Sequence, residues 1–120
     1  MECGYEEAVE KARAALSTEG FGILTEIDVQ ATLKEKLEKD FRKYVILGAC
    51  NPSLAFKALT LETEIGLFLP CNVIVYELPE GGATVSAVDP VVAMSVIDNP
   101  ELELVAKEVR EKLHRVIDAL

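Results

Sequence analysis

The pattern of apolar and polar residues predicts two amphipathic helices in the first third of the chain. In residues 5–19, apolar side chains recur every three or four positions and charged residues fill the other side, which is the period of an α-helix. Gly20 then offers the left-handed conformation in which many helices end. A second helix is predicted after Asp28, a good N-cap residue, and its apolar stripe consists of Val29, Leu33 and Leu37.

Other stretches have the composition of β-strands. Residues 22–27 predict a short strand, and residues 44–49 are an almost unbroken apolar run. Such a run is typical of a central strand covered on both faces. Residues 71–78 and 84–88 flank the turn sequence Pro79-Glu80-Gly81-Gly82, so they predict a β-hairpin.

Asparagine or aspartate followed by proline marks three further helix starts, because the first residue can cap a helix and proline fits its first turn. Asn51-Pro52 predicts a short helix, and Asp89-Pro90 predicts a turn or one helical turn. Asn99-Pro100 predicts the longest helix. The apolar residues of the short helix are Leu54, Ala55, Ala58 and Leu59; those of the long helix are Leu102, Ala106, Val109, Leu113, Val116 and Leu120.

The apolar residues of the long helix have heptad spacing, which leaves two interpretations. The helix either packs along the sheet or forms the seam of a dimer, and the first is favoured because the heptads are too few for a convincing coiled coil.

The predicted order of elements is α-β-α-β-α-β-β-α. It predicts one α+β domain over residues 1–120, with a twisted, mainly antiparallel sheet, helices mostly on one face and a long C-terminal helix. A parallel core built from βαβ units is the alternative.

Charge and cysteine content narrow the classes of partner. The 120 residues include 21 acidic and 12 basic side chains, a formal charge of −9, which repels nucleic acid and anionic membranes. No apolar stretch approaches the roughly 20 residues of a membrane span, and the N-terminus has no export signal. Three cysteines, an odd number, fit a reducing compartment. We therefore expect free thiols and a cytoplasmic location, with no nucleic-acid or membrane partner.

The first candidate site is the turn Gly48-Ala49-Cys50-Asn51-Pro52. It places the Cys50 thiol just before a helix N-terminus, where unpaired N–H groups favour a thiolate or a bound anion. Gly48 would let a neighbouring backbone or a ligand approach closely. A purely structural interpretation is equally available, since cysteine is often buried and Asn-Pro is a good helix start.

The second candidate is Pro70-Cys71-Asn72, which repeats the Cys-Asn pair at the start of another strand. If the two strands are neighbours, Cys50 and Cys71 approach each other and form a redox pair or two soft metal ligands. A structural zinc site normally needs four nitrogen or sulfur ligands. The chain has three cysteines and one histidine and no Cys-x-x-Cys pair, so we expect no metal and no cofactor.

The third candidate is the segment Gly20–Asp28. Glu26 and Asp28 face the same way on an extended chain, and paired carboxylates can perform acid–base chemistry. Asp28 is already explained as an N-cap, however, and Glu26 as ordinary surface charge. Thr25 and Glu26 are kept as ligand-binding candidates together with Cys50, Asn51, Pro52, Cys71 and Asn72. No catalytic residue is assigned.

At these three places the sequence resembles the bacterial and archaeal family known as domain of unknown function 302. The matching segments are Gly20–Asp28, Tyr44–Pro52 and Leu69–Val73. The resemblance implies an α+β fold similar to that of the TATA-binding protein, and a homodimer, without an activity. Family members usually have a further strand before the first helix. If that strand is absent here, one sheet edge is open and pairing with another chain is favoured.

Three functions remain open from the sequence. The leading hypothesis is a module that binds a small molecule or an anion in a crevice near the two Cys-Asn turns. The second is a thiol-dependent enzyme or redox sensor that uses Cys50 and Cys71. The third is a protein-interaction module that acts through a sheet edge or through the C-terminal helix.

Overall fold

A four-stranded antiparallel sheet with the strand order β1-β2-β3-β4 organises the protein. The computed structural model describes residues 1–120. The α+β prediction is confirmed, and the parallel alternative is wrong because every strand pair is antiparallel. The elements are α1 (Tyr5–Thr18), β1 (Gly22–Asp28), α2 (Val29–Leu37), β2 (Tyr44–Cys50), α3 (Pro52–Leu61), a 3₁₀ helix (Thr63–Phe68), β3 (Cys71–Glu77), β4 (Ala83–Ala87), α4 (Pro90–Ala93) and α5 (Pro100–Asp118).

The predicted helix caps are present and define the element boundaries. The Asp28 carboxylate accepts a hydrogen bond from the Ala31 N–H at 2.9 Å, and the side chains of Asn51, Asp89 and Asn99 accept equivalent bonds at the starts of α3, α4 and α5. Each bond satisfies a backbone donor that has no partner within its helix. Gly20 ends the first helical segment with a φ of +82°, a conformation in which a side chain would be strained.

Helices α1 and α5 cover one face of the sheet, called here the inner face, and together with it form the main hydrophobic core. The inner-face side chains of the two central strands are almost fully buried: Val45, Leu47, Val73 and Val75. The stripe of α5 lies in the core, with Leu113 only 2% exposed. The packing of this helix along the sheet is therefore confirmed, and its heptad spacing does not form a dimer seam.

Two predictions about burial are wrong. Strand β2 is central, but its outer face is only half-buried at Tyr44 and Ile46, because the long helices α1 and α5 both pack on the inner face. Helix α2 has no buried residue, and its Leu37 is 62% exposed. Helical spacing shows that one side of a helix is apolar, but it does not show that another element covers that side.

A second, smaller core lies beside the first and was not predicted as a separate unit. It consists of Ala58, Ile65, Met94, Leu102 and Ala106, which come from α3, the 3₁₀ helix, the end of α4 and the start of α5. Within α3 the predicted buried residues Leu54 and Ala58 are buried, whereas Leu59 is 41% exposed. Ala58, Met94 and Ala106 of this smaller core also line the cavity at the two Cys-Asn turns.

Candidate functional site

The two Cys-Asn turns meet at one end of the sheet, on neighbouring strands. Ala49 of β2 pairs directly with Cys71 of β3, so Cys50 lies one residue beyond the pair. Cys50, Asn51 and Cys71 line the same small cavity of about 30 Å³. The predicted approach of the two turns therefore occurs, but a space of this size holds about one water molecule and no organic ligand.

The Cys71 thiol is buried on the inner face, with 6% exposure. Burial, and secondarily the charge of Cys50, raises the pKa of Cys71 to about 11, because the apolar surroundings disfavour the thiolate. Cys71 is therefore a protonated thiol at neutral pH and a weak nucleophile. Cys3, Cys50 and Cys71 are all free cysteines.

Asn51 uses both ends of its side chain amide within the protein. Its oxygen accepts a hydrogen bond from the Leu54 N–H, and its nitrogen donates one to the Glu19 carbonyl oxygen, each at 3.4 Å. The residue thus joins the start of α3 to the end of α1. Pro52 occupies the first turn of α3, is exposed, and lacks an N–H. The helix N-terminus is therefore occupied by its own cap, which removes the main reason for expecting an anion there.

Gly48 is required by packing against side chains of the protein itself. A β-carbon at this position would lie 2.7 Å from the Pro70 Cγ and would overlap the Thr25 hydroxyl. Thr25 is the register partner of Gly48 on β1, so its side chain covers the glycine on the outer face. The close approach that was predicted for a ligand is made by Thr25 and Pro70.

Glu26 and Asp28 lie on the same side of β1, as the alternation predicts, since they pair with Leu47 and Val45 of the inner face. Glu26 forms an ion pair with Arg13 of α1 at 2.5 Å, and Asp28 caps α2. Both carboxylates therefore have structural partners. Thr25 and Glu26 are consecutive residues that pair with Gly48 and Leu47, so they lie on opposite faces of the sheet and do not share one site.

A larger cavity of about 230 Å³ opens on the other side of Cys71. Its walls come from the end of the 3₁₀ helix, the start of β3 and helix α4. Asn72 is its one polar side chain and is exposed to solvent. The lining residues are Leu67, Phe68, Leu69, Pro70, Cys71, Asn72, Val88, Pro90, Ala93 and Met94.

Met94 is shared by this cavity and two others. It also lines the 30 Å³ cavity at the Cys-Asn turns and a third cavity of about 340 Å³ between α4 and α5. Sequence reasoning missed Met94, because only the tertiary structure brings the end of α4 against the start of β3. Of the seven sequence candidates, Cys71 and Asn72 line the 230 Å³ cavity and Cys50 and Asn51 line the small one. Pro52, Thr25 and Glu26 line none of these three cavities.

The arrangement of side chains and helices bears on two further features, metal binding and membrane spanning. No group of three or more histidine, cysteine, aspartate or glutamate side chains is arranged to hold a metal ion. None of the helices combines the length and the apolar character that crossing a membrane requires.

A family model and a solved structure that match this chain point to the same family. The model of the family described as "Domain of unknown function DUF302" matches residues 1–120. The crystal structure of an uncharacterised conserved DUF302 protein from Bacillus stearothermophilus is similar to this chain, with a TM-score of 0.90 and 30% identity over 98% of this chain and 91% of that one. A comparison with curated proteins gave no match. The chain therefore belongs to the DUF302 family.

Proposed function

We propose that this protein binds a small, uncharged and mainly apolar molecule at the Cys71 end of its sheet. The observation that carries the proposal is the meeting of three cavities at Met94, of about 340, 230 and 30 Å³. Methionine is unbranched and flexible, so its side chain adapts to irregular spaces. A rotation of Met94 would join neighbouring cavities into a space of the size that small-molecule sites usually have, roughly 300–1,000 Å³.

The lining supports the chemical class of the ligand. The 230 Å³ cavity has apolar walls and no charged side chain, and the charged side chains at the 340 Å³ cavity are the acidic Asp98 and Glu103. A charged ligand in the 230 Å³ cavity would therefore lose its hydration without gaining a partner there. Asn72 provides one amide that can donate and accept hydrogen bonds at the cavity mouth. This lining favours a ligand with an apolar body and a single polar group. That class of ligand is narrower than the small molecule or anion that the sequence indicated.

A cavity-filling variant tests this proposal. Ala93→Phe would occupy the 230 Å³ cavity, and Ala14→Phe places the same side chain on the exposed surface of α1. Indole, 2-naphthol and cyclohexanol are suitable neutral probes for thermal-shift titration. We expect at least one probe to raise the melting temperature of the wild type and of Ala14→Phe, but not of Ala93→Phe. Stabilisation of all three proteins alike, or of none, would refute the site.

We also propose that the protein is a homodimer whose contact is the outer face of the sheet. No long helix covers this face, which carries the half-buried Ile46 and Ile74, and Ile27 at 47% exposure. The stacked rings of Tyr44 and Tyr76, 5.4 Å apart, extend the same surface. An apolar patch of this kind marks an interaction surface in many proteins.

Light scattering coupled to gel filtration measures the assembly. We expect Ile27→Lys to change a dimeric wild type into a monomer with an unchanged far-UV circular dichroism spectrum. Val92→Lys, at a residue that is 68% exposed on α4, is the control and should leave the dimer intact. A wild type that remains monomeric at millimolar concentration would contradict the proposal.

A further inference from the structure

Residues 89–98, which include α4 and connect β4 to α5, form only local hydrogen bonds. The Asp89 carboxylate accepts from the first N–H groups of α4, and the later bonded N–H groups of the segment donate to oxygens three or four residues earlier. The nearest long-range bonds lie just outside the segment. Val88 N–H donates to the Asn72 oxygen before it, and Asn99 Nδ2 donates to the Leu61 oxygen after it. Hydrogen bonds to the rest of the fold therefore hold the segment at its two ends.

The 89–98 segment covers the deep end of the proposed ligand site. It lines the 340 Å³ cavity, and its residues Pro90, Ala93 and Met94 share the wall of the 230 Å³ cavity with Cys71. Cys71 and Met94 are only 6% and 7% exposed. The segment in this position therefore contributes to screening both side chains from solvent.

Little apolar surface holds the segment in place. Pro90 and Met94 are its two buried side chains, whereas Val92 and Val96 point outwards and are 68% and 76% exposed. A segment with local hydrogen bonds and few buried apolar side chains opens at a lower cost in free energy than the whole protein unfolds. The 89–98 segment therefore has the properties of a unit that moves while the sheet and the long helices stay folded.

One ion pair joins the start of the segment to α5. Asp89 Oδ2 lies 3.3 Å from Arg110 Nε, while Oδ1 of the same carboxylate caps α4. The side chains of Arg110 and Asp89 are 43% and 34% exposed, and an ion pair that water reaches is weak enough to break and form again. Arg110 thus holds the segment against α5 through a reversible contact.

We propose that residues 89–98 are a lid over the ligand site and that the ion pair between Asp89 and Arg110 is its latch. The role in ligand entry rests on the proposed function, whereas the movement itself is a property of the protein without ligand. Opening gives access to Cys71 and Met94, and a ligand enters or leaves in that state. Because the closed form predominates, a weaker latch raises the rates of entry and release and leaves the affinity nearly unchanged.

The Cys71 thiol reports the opening in the protein without ligand. Methyl methanethiosulfonate is a small, neutral thiol reagent, and its attachment to Cys71 is followed by peptide mass spectrometry. Lid opening exposes little surface, so we expect 1 M urea to change the labelling rate by less than about twofold, whereas global unfolding would raise it about fivefold or more. A Cys71 rate that rises with urea as global unfolding does would overturn the lid.

Two variants test the latch. Asp89→Asn removes the charge but keeps an equally good helix cap, and Arg110→Gln removes the other partner. Each should raise the Cys71 labelling rate about two- to fivefold, the range expected for a partly exposed ion pair. The double variant should be no faster than the faster single variant, because both substitutions break the same contact. Additive acceleration in the double variant, or none in the single ones, would overturn the latch.

The control variant is Glu19→Gln. It makes the same carboxylate-to-amide change in another ion pair of α5, in which Glu19 Oε1 lies 2.9 Å from Arg115 Nε. This pair does not involve the lid, so the Cys71 rate should change by less than about 1.5-fold, as for most surface substitutions. An acceleration equal to that of Asp89→Asn would show that the loss of any surface ion pair exposes Cys71, and would overturn the latch.

The fluorescent probe 2-naphthol provides the ligand measurement. In stopped-flow experiments, Asp89→Asn should raise its association and dissociation rate constants by the factor seen for Cys71, with a dissociation constant within about 1.5-fold of that of the wild type. A changed dissociation constant with an unchanged association rate constant would overturn the latch. If no neutral probe binds the wild type, the proposed ligand site fails, whereas the Cys71 labelling rates still decide whether the lid and its latch exist.

Discussion

The free energy of unfolding of the wild type should decrease at alkaline pH, and replacing Cys71 with alanine should make this decrease smaller. Burial on the inner face of the sheet, with a smaller contribution from the charge of Cys50, raises the pKa of the Cys71 thiol from 9.0 to about 11. The thiol therefore remains protonated in the folded protein while it ionises in the unfolded chain. Its contribution to stability is complete below pH 9 and is lost as the pH rises towards 11.

The size of the effect follows from the shift. Each pKa unit corresponds to about 1.4 kcal/mol of free energy. Near pH 10, between the two pKa values, the unfolded thiol is about nine-tenths ionised and the folded thiol about one-tenth, so Cys71 lowers the free energy of unfolding by about 1.3 kcal/mol relative to pH 8. A protein of this size has a total stability of roughly 5–15 kcal/mol, so the loss is readily measured.

Urea unfolding followed by far-UV circular dichroism at pH 8 and pH 10 measures the effect. Other pH-dependent contributions to stability are common to the wild type and the variants and cancel in the comparison. Val73→Ala is the control, because Val73 is fully buried on the same strand and has no ionisable group; its loss between the two pH values should equal that of the wild type. A Cys71→Ala variant that loses as much stability as the wild type would refute the reasoning and would show that the thiol is ionised in the folded protein.

Two further predictions concern packing. Leu113→Ala should lower the free energy of unfolding by about 2–5 kcal/mol, because it leaves a cavity in the core, whereas Leu104→Ala on the exposed side of the same helix, 67% exposed, should change it by less than about 0.5 kcal/mol. Equal effects in urea titrations would show that α5 is not a core helix. Gly48→Ala should destabilise the protein by about 1–3 kcal/mol, since the new methyl group would lie 2.7 Å from the Pro70 Cγ and against Thr25; a melting temperature equal to that of the wild type would contradict the packing described.

Much of the local structure could be predicted from the sequence because local chemistry controls it. The caps at Asp28, Asn51 and Asn99 depend on a side chain and an N–H group two or three residues away. The left-handed turn at Gly20 depends on the absence of a β-carbon. The hairpin between β3 and β4 depends on a four-residue turn between two apolar runs. None of these features needs information from distant parts of the chain.

The candidate site could be predicted only in part. The neighbouring positions of the two Cys-Asn turns were foreseen as a possibility, but their chemistry depended on contacts between distant residues. Tertiary packing buried the Cys71 thiol, occupied both ends of the Asn51 amide and filled the space over Gly48 with Thr25 and Pro70. It also brought Met94 from α4 to the same end of the sheet.

The sequence by itself determined the elements, their order and their capped ends, because each depends on interactions over a few residues. Only the tertiary structure decided which apolar stripe becomes core and which stays exposed. The stripes of α2 and α5 both have helical spacing, yet Leu37 is 62% exposed and Leu113 only 2%. The physical reason is that burial requires a second surface, and that surface is supplied by residues far away in the chain.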